Sequence, residues 1–470
     1  MTVTRPRWTL AIVSVALFMS TLDNLVVTTA LPSIRVSLGA TIQSLEWTVN
    51  AYTLSFAVLL LTGAALGDRF GRKRMFLVGL GLFTLASAGA ALASTTGALI
   101  AARAAQGAGA AVLLPLTLTL LSEAFPADRR GIALGIWSGI SGLGVALGPV
   151  VGGAMVDGIS WHWIFWLNVP VGLALAPAAL ARLTESRGPA GRLDLPGLGL
   201  ASVGLLGIVF GLVRADALGW TSATVLATIG AGAVLMVAFV VWELRTPSPM
   251  LPMRFFRSRA FTATNGVSLA MYFGIFGAIF LLAQFFQTAQ GYTPLQAGLR
   301  TLPWTAMPIF VAPIAGLLSD RIGSRPLMAL GLTLQATALV WFASILDPAL
   351  PYGRLVVPFM LAGAGMALVF APAANAVLGA VRPSEAGQAS GATNAIRELG
   401  GVLGVAVLAS VFSGSGSYAS PHAFSAGVVP AMWVGAAMLA AGALSALFVP
   451  GRVRRPADVP AGLQDVAATA

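Results

Sequence analysis

Asp23, Arg103, Arg397 and Glu398 stand inside stretches of the 470-residue chain that otherwise carry almost no charge. A charged side chain deep in an apolar segment is costly and marks a functional site by default. Asp23 lies about eight residues from the end of its stretch, roughly 12 Å deep at 1.5 Å per residue. Arg103 lies at a similar depth on a stretch that runs the opposite way, so a carboxylate–guanidinium pair can form. A guanidinium beside a carboxylate favours its charged form. A pair that opens and closes with conformation would therefore take up and release a proton in step with that change. The alternative is a static pair that only holds helices together.

The remaining catalytic repertoire is thin. There are no cysteines and only two histidines, His162 and His422, far apart. Disulfide frameworks, thiolate metal sites and cysteine nucleophiles are thereby excluded. No nucleophile–base pair, metal cluster or phosphate loop is visible, and no G-x-x-x-x-G-K-[ST] occurs to bind ATP. The expectation is a non-enzyme with no cofactor and no metal. Composition names the class: 57% of residues are hydrophobic and 9% charged, against roughly 25% charged in globular domains. The net charge of +11 would suggest nucleic acid in a soluble chain. Membrane topology accounts for it better, and no nucleic-acid partner is expected.

These residues need helices to position them. Spans are predicted near 8–31, 46–67, 75–95, 97–121, 131–156, 162–182, 195–213, 222–243, 260–288, 296–318, 326–346, 354–379, 387–412 and 428–449, an all-α polytopic membrane protein. The first stretch is too long for a signal peptide and lacks a cleavage site. Of the 27 basic residues, all but Arg35, Arg103, Arg214, Arg300, Arg354 and Arg397 fall in the termini and the even-numbered loops. The positive-inside rule then puts both termini in the cytoplasm, in a cytoplasmic membrane. Trp47, Trp161, Trp163 and Trp220 are expected in the outer interfacial belt. Arg397 and Glu398 point about 100° apart on a helix; one arrangement puts Glu398 in a cavity, handling protons or cations, and Arg397 toward the tenth or eleventh span.

The chain also repeats itself. Gly131, Gly135, Gly144 and Gly148 shifted by 256 give Gly387, Gly391, Gly400 and Gly404. Gly107-Ala-Gly-Ala-Ala leads to Pro115 as Gly363-Ala-Gly-Met-Ala leads to Pro372, and GDRFGRKR (67–74) is echoed by SDRIGSRP (319–326). Two like-oriented six-helix halves are expected at 1–185 and 248–451. An inserted helix pair occupies 186–247 and a tail 452–470. Parallel repeats of this kind build many secondary transporters, with the substrate between halves at the midplane.

The motifs carry a family resemblance over nearly the whole length. LDNLVVTTALP (22–32) resembles the first-helix signature of the fourteen-helix drug:proton antiporter branch of the major facilitator superfamily, with Asp23 at its acidic position. AALGDRFGRKR (64–74) resembles the superfamily's loop 2–3 motif, with Ala64 where glycine is usual. RAAQGAGAA (103–111), GVALGPVVGG (144–153) and WHWIFWLNVPVG (161–172) resemble the motifs of helices 4, 5 and 6. The resemblance implies a major facilitator fold and a multidrug efflux transporter working by alternating access.

Asp23, Arg103 and Glu398 are then the expected proton-coupling residues. The resemblance implies that Asp68, with Arg69, Gly71 and Arg72, forms the cytoplasmic gate, Asp68 latching the outward-open state at the positive end of the helix that begins near Gly387. Gly144, Gly148 and Gly152 line one face of helix 5, where small residues let a neighbouring backbone approach. With Pro149 and Gly153 they are expected to form a bendable seam on which the halves rock. Asn24, Tyr52, Trp137, Tyr272, Asn375 and Asn394 are the cavity candidates. A mostly apolar cavity with few polar groups suits lipophilic compounds. Two acids within the membrane allow one or two protons per turnover. The expected partners are a small lipophilic substrate, protons and the bilayer, with a monomer as the working unit. Export of one natural product by the same machinery is the alternative.

Overall fold

The computed structural model describes residues 6–187, 194–381 and 386–450; the expected tail, 452–470, lies outside them. The helices in chain order are α1 (Pro6–Leu38), α2 (Ile42–Phe70), α3 (Arg72–Ala91), α4 (Thr96–Ala124), α5 (Ala127–Gly158), α6 (Trp163–Trp166), α7 (Asn168–Arg182), α8 (Leu195–Leu218), α9 (Ala223–Arg245), α10 (Arg259–Thr288), α11 (Pro294–Thr305), α12 (Met307–Ile322), α13 (Ser324–Ile345), α14 (Gly353–Gly379), α15 (Ala386–Ser415) and α16 (Pro421–Ala446). A short 3-10 turn, Met253–Arg257, precedes α10. Among the described residues 13 helices are long and apolar enough to cross a membrane, or 14 if the bent α2 counts as one span. In hydrocarbon the backbone must satisfy its own hydrogen bonds, which is why helices do this work.

Two spans are broken where the sequence requires it. α6 and α7 share the sixth span, and α11 and α12 share the tenth. The second break falls at Ala306, just before Pro308 near the start of α12. Proline has no N–H for the carbonyl four residues earlier, so the ladder stops there.

The sequence echoes return as geometry. Gly71 between α2 and α3 has φ 108°, and Gly323 between α12 and α13 has φ 87°. Each N–H closes the preceding helix, Gly71 onto the Gly67 carbonyl at 3.0 Å and Gly323 onto that of Ser319 at 2.9 Å. A side chain at φ above zero is disfavoured in L-residues, so both positions call for glycine. Helix–helix approaches match as well. A Cβ on Gly107 would strike the Tyr52 carbonyl, as one on Gly363 would strike that of Trp304. Gly109 lies against Gly79 and Phe83 of α3, and Gly365 against Gly331 and Gln335 of α13. Small residues thus draw α4 and α14 onto their neighbours, where packing rather than water exclusion must hold helices in lipid.

α8 and α9, expected to be an inserted pair, pack on each other through Gly204, Gly207, Gly211 and Gly232. α8 also meets α2 and α15, in a cluster of Leu54, Val58, Val209, Val213, Val402 and Ala406. Only 17% of the apolar window of α9 is buried, leaving its outer face to the hydrocarbon phase.

At the end of the bundle away from the basic loops, the first and last six spans meet closely. A Cβ on Gly153 would strike the Pro294 carbonyl, and one on Gly298 the Pro149 carbonyl. Gln287 Nε2 donates to the Thr29 carbonyl at 2.8 Å, and the Arg35 guanidinium lies 3.8 Å from the Tyr418 ring centre. Burial raises the Tyr418 phenol above its ordinary range, against the pull of Arg35 and with a contribution from Glu46. It therefore keeps its proton and donates it to Gln284. Trp163 and Trp220 are exposed at this end, as expected for an interfacial belt, but Trp161 is only 4% exposed. It stacks on His162 at 3.7 Å between ring centres and packs edge-on to Phe165. Trp161 is a core residue; indole area is too large to waste on an interface when a pocket closes over it.

Candidate functional site

Asp23 and Arg103 meet. Arg103 on α4 donates from one terminal nitrogen to Asp23 Oδ2 at 2.6 Å, and both side chains are essentially sealed from solvent. The other carboxylate oxygen accepts from two amides. Gln106 Nε2 reaches Asp23 Oδ1 at 2.8 Å and Asn168 Nδ2 reaches it at 2.6 Å. Each amide donates its second hydrogen to Ser87 Oγ, at 2.7 and 3.2 Å. The Gln106 carbonyl oxygen accepts from Arg103 at 2.7 Å, and Arg103 Nε donates to the Thr48 carbonyl at 3.2 Å. α1, α2, α3, α4 and α7 therefore converge on one carboxylate. The donor and acceptor inventory is self-consistent, which fixes the orientation of both amides.

Gln106, Ser87 and Asn168 did not stand out in the sequence. Gln106 had a signal: three residues after Arg103, it shares that helix face. Asn168 had only its place in the stretch 161–172 that resembles the helix 6 motif, and Ser87 had no signal.

Next to this cluster is a cavity of about 1340 Å³. It reaches from Asn24 and Leu25 in the middle of the bundle to Asp68, Arg72, Arg254, Arg257 and Gln388 at the basic end, so it opens toward the basic loops. Tyr52 belongs to both features. It lines the cavity, its hydroxyl is 3.1 Å from Ser20 Oγ, and its ring centre is 4.2 Å from the Arg103 guanidinium. One aromatic layer separates the buried pair from the cavity.

Asn24, Trp137, Tyr272 and Asn394 also line the cavity. Trp137 Nε1 donates to Thr117 Oγ1 at 3.2 Å. Tyr272 stacks on Phe276 at 5.3 Å and meets Phe370 edge-on at 6.0 Å, giving an aromatic wall from α10 and α14. Asn375 does not join them: it is exposed on α14 and outside the lining. It lies about 140° around the helix from the lining residue Phe370, five residues on.

Glu398 is in the cavity wall, and its Oε2 accepts no hydrogen bond. Arg397 departs from the expected direction. Its guanidinium lies 5.6 Å from the Phe370 ring on α14 and donates to Asn394 at 3.4 Å, so it faces the twelfth span rather than the tenth or eleventh. Two further acids are buried, Glu46 and Glu243, at 2% and 3% exposure. They lie near helix ends.

The helix 5 glycines divide between two neighbours. Gly144, Gly148 and Gly152 lie against Thr21, Leu25 and Val26 of α1, within the first six spans. Gly153 and Pro149 are the ones that touch α11. At the basic end, Arg72 binds Asp68 at 2.7 Å and also pairs with Glu123. The positive end of α3 is occupied by Glu185, which accepts from the Lys73 and Arg74 amides at 3.0 and 3.1 Å. Arg69 lies against its neighbour Phe70. Gly71 leaves room for Glu185, whose carboxyl carbon would sit 2.8 Å from a Cβ there. Asp68 and Gln388 line the same cavity mouth.

A family model described as Major Facilitator Superfamily matches residues 13–405 and again 265–462. The chain belongs to the Major Facilitator Superfamily. Among curated relatives, the cephamycin export protein CmcT of Amycolatopsis lactamdurans is 39% identical, over 88% of this chain and 86% of that one. The tetracenomycin C resistance and export protein of Streptomyces glaucescens is 34% identical, over 86% and 75% of the two chains. The multidrug resistance protein Stp of Mycobacterium tuberculosis (strain CDC 1551 / Oshkosh) is 36% identical over the same shares. Among solved structures, a POT family transporter in complex with 5-aminolevulinic acid aligns with a TM-score of 0.70 at 14% identity, covering 93% of this chain and 95% of that chain. At that identity the likeness speaks for the fold, and this superfamily member shares its helical architecture.

Proposed function

We propose that this superfamily member is a proton-driven exporter of lipophilic drugs, dyes or antibiotics, working by alternating access in the cytoplasmic membrane with both termini inside. The observation that carries the reading is Tyr52, shared between the wall of the cavity and the sealed Asp23–Arg103 pair. A substrate that shifts this ring disturbs the guanidinium paired with the carboxylate, so drug and proton are coupled through one residue. Asp23 is the carboxylate that exchanges the proton, and the parting of α4 from α1 is the movement that frees it from Arg103. Glu398 is the second acid in contact with the cavity and serves a cationic substrate or a second proton. Gly153, Pro149 and Gly298 form the seam that opens on the far side, while Gly144, Gly148 and Gly152 keep α5 and α1 moving together.

An exporter dedicated to one natural product is the second reading. It is favoured by the names of the relatives from Streptomyces and Amycolatopsis, each tied to a single compound. The test is efflux of a compound panel from cells expressing the chain, with and without a proton gradient. Gradient-dependent export of several unrelated lipophilic compounds supports the first reading; export of one supports the second. Export that ignores the gradient defeats both.

A further inference from the structure

The inserted helices carry an acid pair that none of the roles above uses. Asp194 caps α8: its Oδ1 accepts from the Gly197 amide at 2.9 Å and from Trp242 Nε1 at 2.7 Å. Glu243, near the end of α9, accepts the Leu251 amide on Oε2 at 3.0 Å. The other two oxygens, Asp194 Oδ2 and Glu243 Oε1, are buried and accept nothing. They converge. A Cβ on Gly197 would lie 2.5 Å from Asp194 Oδ2 and 2.8 Å from Glu243 Oε1, so both face the space that this glycine leaves free.

Two facing carboxyl groups in a buried site cannot both stay ionised. A sodium or calcium ion is a poor occupant, because calcium takes six to eight oxygens and only two are offered. A single proton is enough. We infer that Asp194 and Glu243 form a proton-binding site at the cavity mouth, a carboxylic acid donating to a carboxylate. The proton sits on Glu243. Asp194 lies at the positive end of α8, which favours a negative charge, whereas Glu243 lies at the negative end of α9.

The site has a mechanical consequence. Glu243 holds Leu251, and the segment around it (Thr246, Pro247, Ser248, Pro249, Met250) lines the cavity mouth. While the proton is shared, α8, α9 and this segment are clasped together. Loss of the proton sets two anions face to face and releases the segment. The cations on the same wall are Arg254 and Arg257 of the 3-10 turn, and Arg245 closes α9; neither open oxygen accepts a hydrogen bond from any of them. The inference stands apart from export, since it concerns only the mouth and its proton.

The chain has no cysteine, so Ser248→Cys offers a unique spin-label site on the clasped segment. The purified full-length chain in nanodiscs is titrated with acid and base while label mobility is read by electron paramagnetic resonance. The expected result is a reversible rise in mobility with pH. Glu243→Gln, whose amide still donates to Asp194, should abolish the transition and keep the label restrained at every pH. If Glu243→Gln fails to fold, Asp194→Asn gives the same reading from the other partner. A transition that persists in a folded variant, or a wild-type label that does not respond to pH, overturns the site. A transition that follows sodium at fixed pH overturns the shared proton as its occupant.

Discussion

Replacing Arg103 with alanine should destabilise the folded chain by roughly 3 kcal/mol and abolish gradient-driven export. Breaking a buried ion pair by removing one partner costs roughly 3–5 kcal/mol, because the other charge is left uncompensated. Asp23 would keep the Gln106 and Asn168 amides, and hydrogen bonds to a charged group contribute about 1.5–3 kcal/mol each. The low end of the range, about 3 kcal/mol, is therefore the better estimate for the charged carboxylate. Binding survives better than transport, because Asn24, Trp137 and Tyr272 remain in the wall. Arg103→Lys should fall between, keeping a charge but losing the fork that serves Asp23, Gln106 and the Thr48 carbonyl together. The assay is substrate binding in nanodiscs and gradient-driven export in cells for the three proteins, with thermal unfolding as the folding control. A well-folded Arg103→Ala chain that exports as the wild type does would refute the pairing as a proton device and leave it as a static brace.

Other outcomes can be stated as directly. Asp68→Asn should favour the conformation open at the basic end and slow turnover, since a carboxylate at a helix dipole is worth roughly 0.3–1 kcal/mol; unchanged accessibility of cysteines introduced on the opposite side would count against the latch. Gly298→Ala should disfavour the conformation seen here, because its methyl would strike the Pro149 carbonyl. Overpacking of this kind costs about 1–3 kcal/mol, read as increased cysteine labelling near Tyr292 on the sealed side. No increase would mean that α5 and α11 are not the moving seam.

How far the sequence carries the reader depends on what each residue needs from its surroundings. Span number and the two-fold echo are legible because backbone in hydrocarbon has few options, and because Gly71 and Gly323 stand at matching turns. The Asp23–Arg103 pair is legible for a similar reason: each charge at that depth needs the other. What escapes is the identity of uncharged partners. Asn168 lies in the stretch that resembles the helix 6 motif but has nothing there to tie it to Asp23, yet it holds the carboxylate as closely as Arg103 does. The glycine stripe at 144, 148 and 152 states that something approaches but not that it is α1. Asn375 and Trp161 failed in the opposite direction, since residue type suggested an environment that helix rotation and closure did not provide. Asp194 and Glu243 are far apart in sequence, and only the packing of α8 on α9 brings them together.

The central claim is that drug and proton move in opposite directions through the Asp23 carboxylate. Its most direct test is proton movement in sealed proteoliposomes containing the purified chain, triggered by adding an exported compound from the efflux panel. The account predicts a substrate-evoked proton flux opposite to the substrate for the wild type. It predicts none for Asp23→Asn, whose amide keeps the size and hydrogen bonds but cannot exchange a proton. Undiminished substrate-evoked proton flux in the folded Asp23→Asn protein would contradict it.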